Sequence, residues 1–174
     1  MGNVVSGTTL KDKSCYDIEI APDDKVLVLS EEVDILDKNK DVIEKGNFEG
    51  NITRFDTENN DGDFRVYISM INSNNSDIAV DPKNTFVVKG LNINLEELYN
   101  VEIPGEVKGI APYKDKLIVY SGRSIYLIDD RGKTLLSKDI NRDIIDVKWL
   151  SENKIILVDK TDITIIDLDN GRKK

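Results

Sequence analysis

Short apolar runs alternate with polar turns along most of the chain, and the same arrangement returns at intervals. The segment 20–29 resembles 110–119, and their first isoleucines, Ile20 and Ile110, lie 90 residues apart. A third copy, 147–158, begins 37 residues after Ile110. Each copy consists of an apolar run, a polar turn and a second apolar run, which indicates two antiparallel strands joined by a hairpin. The spacing predicts a structural repeat.

A third apolar run follows in each copy and ends at an aspartate: Asp37, Asp129 or Asp167. A polar turn comes next, and apolar positions in the same register predict a fourth strand beyond it. The equivalent first-strand positions, Ile20, Phe55, Ile110 and Val147, are spaced by 35, 55 and 37 residues. Near the middle of the chain, 94–98 begins like a capped helix. The repeat register instead predicts that this segment leads into an outer strand.

Four short antiparallel strands in a unit of about 40 residues are typical of a β-propeller blade. The pattern resembles β-propeller repeats of the WD40, YVTN or PQQ-like kind. The Gly-His and Trp-Asp marks of WD40 blades are missing, because the chain has no histidine and Trp149 is followed by Leu150. The strand-Asp-turn-Gly-Lys pattern in 125–133 looks more like the YVTN and PQQ families. The resemblance implies an all-β propeller fold and leaves the function open.

The register divides the 174 residues into about four four-stranded blades within a single domain, 1–174. The predicted boundaries are an outer strand at 2–13 and blades at about 14–50, 51–105, 106–142 and 143–174. The strand at 2–13 precedes the first blade, whereas the last blade stops short of its own outer strand. Three arrangements satisfy this pattern: the N-terminal strand completes the last blade of a four-bladed ring, two chains form an eight-bladed ring, or the chain is a portion of a longer propeller.

Composition supports strands and excludes several kinds of chemistry. The chain has 22 Ile, 15 Val and 14 Leu but only 3 Ala, which favours β structure. The absence of histidine excludes His-based catalysis and His-ligated metals within the chain. A formal net charge of −9 argues against nucleic-acid binding. The single cysteine, Cys15, excludes an internal disulfide, and a reducing, cytoplasmic location for a soluble chain without membrane binding is expected.

The second blade is longer than the others, and its surplus of about 18 residues is predicted to form an insertion at about 56–77. Two Asn/Asp-rich segments lie within it. The first has oxygen ligands at a density that calcium prefers, but it places Thr57 at the first ligand position, so a solvated hairpin turn is expected and no metal. The candidate binding residues are Asp56, Glu58, Asn59, Asp61, Asp63, Asn74, Asn75 and Asp77.

Two function classes remain open. The first is a non-catalytic protein-protein interaction module without cofactors: a rigid propeller scaffold, or a small acidic inhibitor or assembly subunit, that docks a protein partner or a second copy of itself. The second is a carboxylate-based carbohydrate-binding or glycoside-processing propeller, with Asp17, Asp115 and Asp146 as candidates. An N-terminal pattern beginning at Gly2 also fits a lipidation site. The single tryptophan, Trp149, is expected to be a packing residue.

Overall fold

A computed structural model describes residues 15–30, 32–71 and 85–169. These residues form fifteen β-strands in four antiparallel sheets, in which each strand pairs with its neighbours in sequence order. The first sheet contains β1 (Asp17–Ala21), β2 (Lys25–Leu29), β3 (Val33–Leu36) and β4 (Val42–Gly46). The second contains β5 (Asn51–Asn60), β6 (Asp63–Ile71), β7 (Thr85–Asn92) and β8 (Glu97–Pro104). The prediction of an all-β chain built from repeated antiparallel units is confirmed.

The third sheet contains β9 (Val107–Tyr113), β10 (Lys116–Ser121), β11 (Ser124–Asp129) and β12 (Thr134–Asp139). The last sheet contains β13 (Ile144–Ser151), β14 (Lys154–Asp159) and β15 (Ile163–Asp167), and it has three strands within the described residues. The predicted outer strand at 2–13 lies outside those residues, so closure of the ring stays a prediction. The segment 94–98 leads into β8, which confirms the expectation of an outer strand over that of a helix.

The chain divides into two compact units, Met1–Phe48 and Glu49–Lys174. The first unit contains the first sheet, in which Leu27, Val33 and Ile35 are fully or almost fully buried. The second unit contains the other three sheets. The predicted single domain over 1–174, with its blade boundaries, stays a prediction.

The turn that joins the third and fourth strands has the same chemistry in three sheets. An Asp or Asn ends the third strand or directly follows it, and its side-chain oxygen accepts backbone N–H groups two and four residues later. Asp37 accepts from Asn39 and Asp41, and Asp129 accepts from Arg131 and Lys133. The residue three positions after the acceptor has a positive φ in each case: Lys40 at 71°, Leu95 at 61° and Gly132 at 80°. A local side-chain cap therefore sets the turn.

Within the second unit the first strands of the three sheets, β5, β9 and β13, lie side by side. Two hydrogen bonds join them: Arg54 Nε donates to the Lys108 carbonyl at 2.6 Å, and Trp149 Nε1 donates to the Ala111 carbonyl at 2.7 Å. One apolar core, around Val88, Ile103, Leu117 and Ile128, lies between the second and third sheets. A second core lies between the third and last sheets and includes Ile118, Ile125, Ile155 and Leu157.

Two tyrosines cover glycines on neighbouring strands. Tyr99 in β8 is paired with Gly90 in β7, and a Cβ placed on Gly90 would lie 2.6 Å from the Tyr99 ring. Tyr120 in β10 covers Gly109 in β9 in the same way. Glycine is required at these positions because any side chain would occupy the volume of the ring. The tyrosine ring in turn covers the strand backbone, which glycine leaves exposed because it has no side chain.

Candidate functional site

The predicted insertion begins as a long β-hairpin. Asp56–Asn60 belong to β5, and β6 begins at Asp63, so only Asp61 and Gly62 form the turn between them. The first Asn/Asp-rich segment is therefore two strand ends joined by a tight hairpin turn, and the predicted insertion at about 56–77, which runs beyond the described residues, stays a prediction. These polar residues remain in a strand because their backbone pairs with β6, whose Phe64, Val66 and Ile68 are buried.

The structure brings four of the candidate residues together at the tip of this hairpin. Asn59 accepts a hydrogen bond from the Gly62 backbone at 3.3 Å, and Asp63 accepts from Arg65 at 2.8 and 2.9 Å. Asp61 is exposed and adopts a φ of 51°. Glu58 lies at the tip end of β5. Asp56 lies farther down β5, where its side chain accepts the Thr57 N–H. Asn74, Asn75 and Asp77 lie outside the described residues.

The hairpin tip is fastened to the third sheet by two hydrogen bonds. The Glu58 carboxylate accepts the Lys114 backbone N–H at 3.1 Å, and Arg65 Nη1 donates to the Asp130 carbonyl at 3.3 Å. Lys114 belongs to the β9–β10 turn, and Asp130 belongs to the β11–β12 turn. Charged side chains thus hold the turns of two neighbouring sheets in fixed relative positions.

The β13–β14 turn of the last sheet joins the same surface. Lys116 Nζ donates to the Glu152 carbonyl at 3.4 Å, and the Glu152 carboxylate lies 3.6 Å from Lys116 and 3.8 Å from Lys114. We name this end of the second unit the acidic turn face. At the strand ends and turns of this face, ten carboxylates outnumber six cations. The carboxylates are those of Glu58, Asp61, Asp63, Glu96, Asp115, Asp129, Asp130, Glu152, Asp167 and Asp169, and the cations are Arg65, Lys114, Lys116, Arg131, Lys133 and Lys154.

An aromatic stack supports the acidic turn face from below. The rings of Tyr113 and Trp149 stack with centroids 5.3 Å apart, and Lys114 Nζ lies 5.5 Å from the Tyr113 centroid. Trp149 also packs against the apolar core between the third and last sheets. Its predicted role in packing is confirmed, and the stack reduces the freedom of the β9–β10 turn that presents Lys114 and Asp115.

The electrostatics at the hairpin favour charged Arg65 and neutral Tyr67. Burial opposes the charged form of Arg65, but the hydrogen bond and the negative charge of Asp63 outweigh it and raise the pKa of Arg65. Burial raises the pKa of Tyr67 to about 12. Arg65 therefore stays positive and keeps the hairpin attached to Asp130 over the physiological pH range.

The opposite end of the second unit carries an ion-pair cluster that sequence reasoning missed. Arg142 Nη1 lies 3.0 Å from the buried Asp159 carboxylate and 3.4 Å from Asp162. The backbone N–H groups of Thr161 and Asp162 donate to Asp159 at 2.9 and 2.8 Å. These hydrogen bonds, together with the charge of Arg142, lower the pKa of Asp159. An Asp two residues before a threonine at a strand end was the available signal, because such residues cap turns.

Asp115 and Asp146, two of the three carboxylates considered for glycoside chemistry, lie at opposite ends of the sheets. Asp115 lies in the β9–β10 turn on the acidic turn face. Asp146 lies near the start of β13, at the opposite end of the sheets, where it accepts hydrogen bonds from Tyr120 and the Val147 backbone at 3.2 and 2.8 Å. Asp17 lies in the other unit, where its carboxylate accepts the Ile18 N–H.

Residues 15–30, 32–71 and 85–169 contain no group of three or more Cys, Asp or Glu side chains arranged to hold a metal ion. They also contain no helix that is long and apolar enough to cross a membrane.

The four antiparallel sheets, three of which share the same turn chemistry, define a β-propeller, and solved structures share this fold. BBS1N in complex with ARL6DN has a TM-score of 0.69 and 8% identity, with 92% of this chain and 54% of that chain covered. BamB from Moraxella catarrhalis has a TM-score of 0.64 and 14% identity, with 92% and 49% covered. KlAtg21 in complex with the coiled coil of AgAtg16 has a TM-score of 0.65 and 13% identity, with 88% and 52% covered.

The chain spans about half the length of these solved structures, at 49–54%. The sequence profile of a family of unknown function (DUF5711) matches residues 1–168, so the chain belongs to that family. No curated protein sequence matches the chain. The resemblance to β-propeller repeats predicted from the sequence is confirmed, and at these identities it establishes the fold alone.

Proposed function

We propose that this chain is a non-catalytic protein-binding propeller whose acidic turn face docks a basic surface of a protein partner. The observation that carries the proposal is the fastening of turns from neighbouring sheets into one acidic surface by Glu58, Arg65 and Lys116. A surface held in place before binding loses little conformational entropy when a partner docks.

The charge of the chain supports a basic partner. The whole chain carries a formal charge of −9, and exposed carboxylates such as Asp61 and Asp115 project from the turns of the acidic turn face. Complementary charge accelerates encounter with a positive surface and selects against negative ones. Such an interface weakens as salt is added, because surface charges are screened within about 8–10 Å at ordinary ionic strength.

Two of the similar solved structures are complexes with proteins: BBS1N with ARL6DN, and KlAtg21 with the coiled coil of AgAtg16. They support protein docking as a use of this scaffold. The separation of Asp115 from Asp146 favours it further over a carbohydrate-processing role, because glycoside hydrolysis needs two carboxyl groups within about 5–9.5 Å of each other.

The experiment is affinity capture from the native cell extract at low and high salt with three forms of the chain. The wild-type chain is compared with Asp61→Lys/Asp115→Lys, which reverses two exposed charges on the acidic turn face. The matched control is Glu102→Lys/Asp143→Lys, which makes the same change in net charge away from that face. We expect the wild type and the control to enrich the same basic protein at low salt, and the turn-face variant to lose it.

The outcome that contradicts the proposal is equal capture by all three forms, or equal loss in both double variants. Either result would mean that overall charge or another surface governs binding. A thermal melt of each variant accompanies the capture, so that a loss caused by unfolding is recognised.

A further inference from the structure

The third and last sheets contain equivalent residues whose surroundings differ. In the third sheet, Ile118 pairs with Leu127 and Tyr120 pairs with Ile125. In the last sheet, the same strand positions are the pairs Ile156–Ile165 and Val158–Ile163. In the third sheet this face packs against the last sheet, and Ile125 and Leu127 are 0% and 6% exposed. In the last sheet the equivalent Ile163 and Ile165 are 74% and 60% exposed.

We name this surface the end face and define it by Ile156, Val158, Ile163 and Ile165, with Lys148 beside them on β13. Four β-branched aliphatic side chains on adjacent strands form a continuous apolar surface, and the opposite face of the same sheet is already buried in the core. A soluble protein rarely exposes such a surface unless something docks on it. The pattern is that of a sheet with core residues on both sides.

We propose that the end face is covered by the first sheet of a second copy of this chain. The first strand of the first sheet offers a counterpart, because Ile18 and Ile20 on β1 are 61% and 82% exposed. Val28 and Leu36 on the same face of the neighbouring strands are buried, so β1 makes the contact. The solved propellers that resemble this chain are about twice its length, since 49–54% of each is covered. The length of two copies is therefore closer to that of one such structure than the length of a single copy is.

The pairing is reciprocal. The end face of each copy meets the first sheet of the other, so one dimer contains two identical contacts related by a two-fold axis. Once the first contact has formed, the second is intramolecular and gains from a high effective concentration. Added salt does not weaken apolar contacts of this kind, which separates the dimer from the salt-dependent docking proposed for the acidic turn face.

The experiment is light scattering coupled to size exclusion on the 174-residue chain over a range of concentrations and salt. We expect a mass twice the monomer mass of 19.6 kDa that persists at high salt. Ile163→Lys and Ile20→Lys should each give monomers. The matched control is Leu98→Lys on the outer strand β8, where Leu98 is 48% exposed, and it should remain a dimer. Circular dichroism establishes that each variant is folded.

Mixing the two monomeric variants tests the pairing itself. A chain with Ile20→Lys retains a normal end face, and a chain with Ile163→Lys retains a normal first sheet. Their mixture should therefore restore one of the two contacts and produce a heterodimer that neither variant forms alone. A wild-type monomer at all concentrations would overturn the proposal. A dimeric Ile20→Lys variant would also overturn it. The first sheet would then not be the contact, so the end face would pair with itself or would not pair at all.

These results are independent of the proposed function. The dimer can be absent while the acidic turn face still captures a basic partner, and the reverse result is equally possible. Measuring mass and partner capture on the same preparations separates failure of one proposal from failure of the other.

Discussion

The third and last sheets of the second unit have closely similar sequences and different surroundings. On the side that faces the preceding sheet, Leu117 and Val119 of the third sheet correspond to Ile155 and Leu157 of the last, and all four are buried. On the opposite side of the two sheets, equivalent positions again hold apolar residues, but these side chains are buried in the third sheet and far more exposed in the last sheet. The apolar pattern of a strand therefore indicates which of its faces can be buried. That face is buried only where a neighbouring sheet packs against it.

The largest expected difference between the two sheets comes from truncating equivalent isoleucines. Ile125→Ala removes a fully buried side chain from the core, so the free energy of unfolding should fall by about 2–5 kcal/mol. Ile163→Ala at the equivalent position of the last sheet should change it by less than about 0.5 kcal/mol in dilute, monomeric protein. Urea unfolding of both variants measures the difference, and equal losses would contradict the assigned burial.

A second prediction concerns the contact that completes the junction between the second and third sheets. Gly90→Ala would place a Cβ 2.6 Å from the Tyr99 ring, and that ring also lies against Gly132 in the β11–β12 turn. The ring must move, so we expect a loss of about 1–3 kcal/mol. Gly122→Ala is the control, because nothing lies within 4 Å of its Cβ and its φ is not in the left-handed range. Tyr99→Leu should partly relieve Gly90→Ala in a double-mutant cycle.

A third prediction tests the contact between Tyr120 of the third sheet and Asp146 of the last. Tyr120→Phe removes their 3.2 Å hydrogen bond and should cost about 0.5–1.5 kcal/mol at neutral pH. Burial, and then the charge of Asp146, raises the pKa of Tyr120 to about 12. Because the folded pKa is above the unfolded value, this stability is present below the unfolded pKa and is lost as pH rises through the folded one. Phenolate absorbance should show one fewer late-titrating tyrosine in the variant.

The smallest effect is expected at Asp159. This residue is the last of β14 and is equivalent to Ser121, the last residue of β10 in the third sheet. Asp159→Asn keeps an oxygen that accepts the Thr161 and Asp162 N–H groups and loses the charge that faces Arg142. The folded pKa of Asp159 is lowered, so its contribution is present above the unfolded pKa and is lost as pH falls through the lowered value. The variant should melt at a lower temperature at neutral pH, and the difference should vanish in acid. A difference that persists in acid would point to altered packing instead.

The strands and turns could be predicted from the sequence because their causes are local. Alternating Ile and Val marked the strands, and the Asp that ends the third strand marked a turn that its own side chain caps. The same reasoning failed where pairing overrides composition. The polar residues Asp56–Asn60 continue as a strand because β6 offers them backbone partners, and no residue among them indicates this.

The candidate site was predictable only in part. Glu58, Asn59, Asp61 and Asp63 were found from their composition, and the structure places them at one hairpin tip. Arg65, Lys116 and Glu152, which join the turns of three sheets, come from separate copies of the repeat and meet only after the sheets stack. The pairing of Arg142 with Asp159 escaped detection for another reason: it forms only when β13 pairs with β14, which places Ile144 opposite Asp159.

The Asp or Asn at the end of the third strand affects how the number of repeats in such a chain can change. Because Asp37, Asn92 and Asp129 each cap the turn of their own sheet, the geometry of this turn is set within each of these three copies of the repeat. A segment duplicated as a whole would fold its hairpins without compensating changes elsewhere in the chain. The number of sheets is then open to change by simple duplication, while the fit between adjacent sheet faces limits how many can assemble.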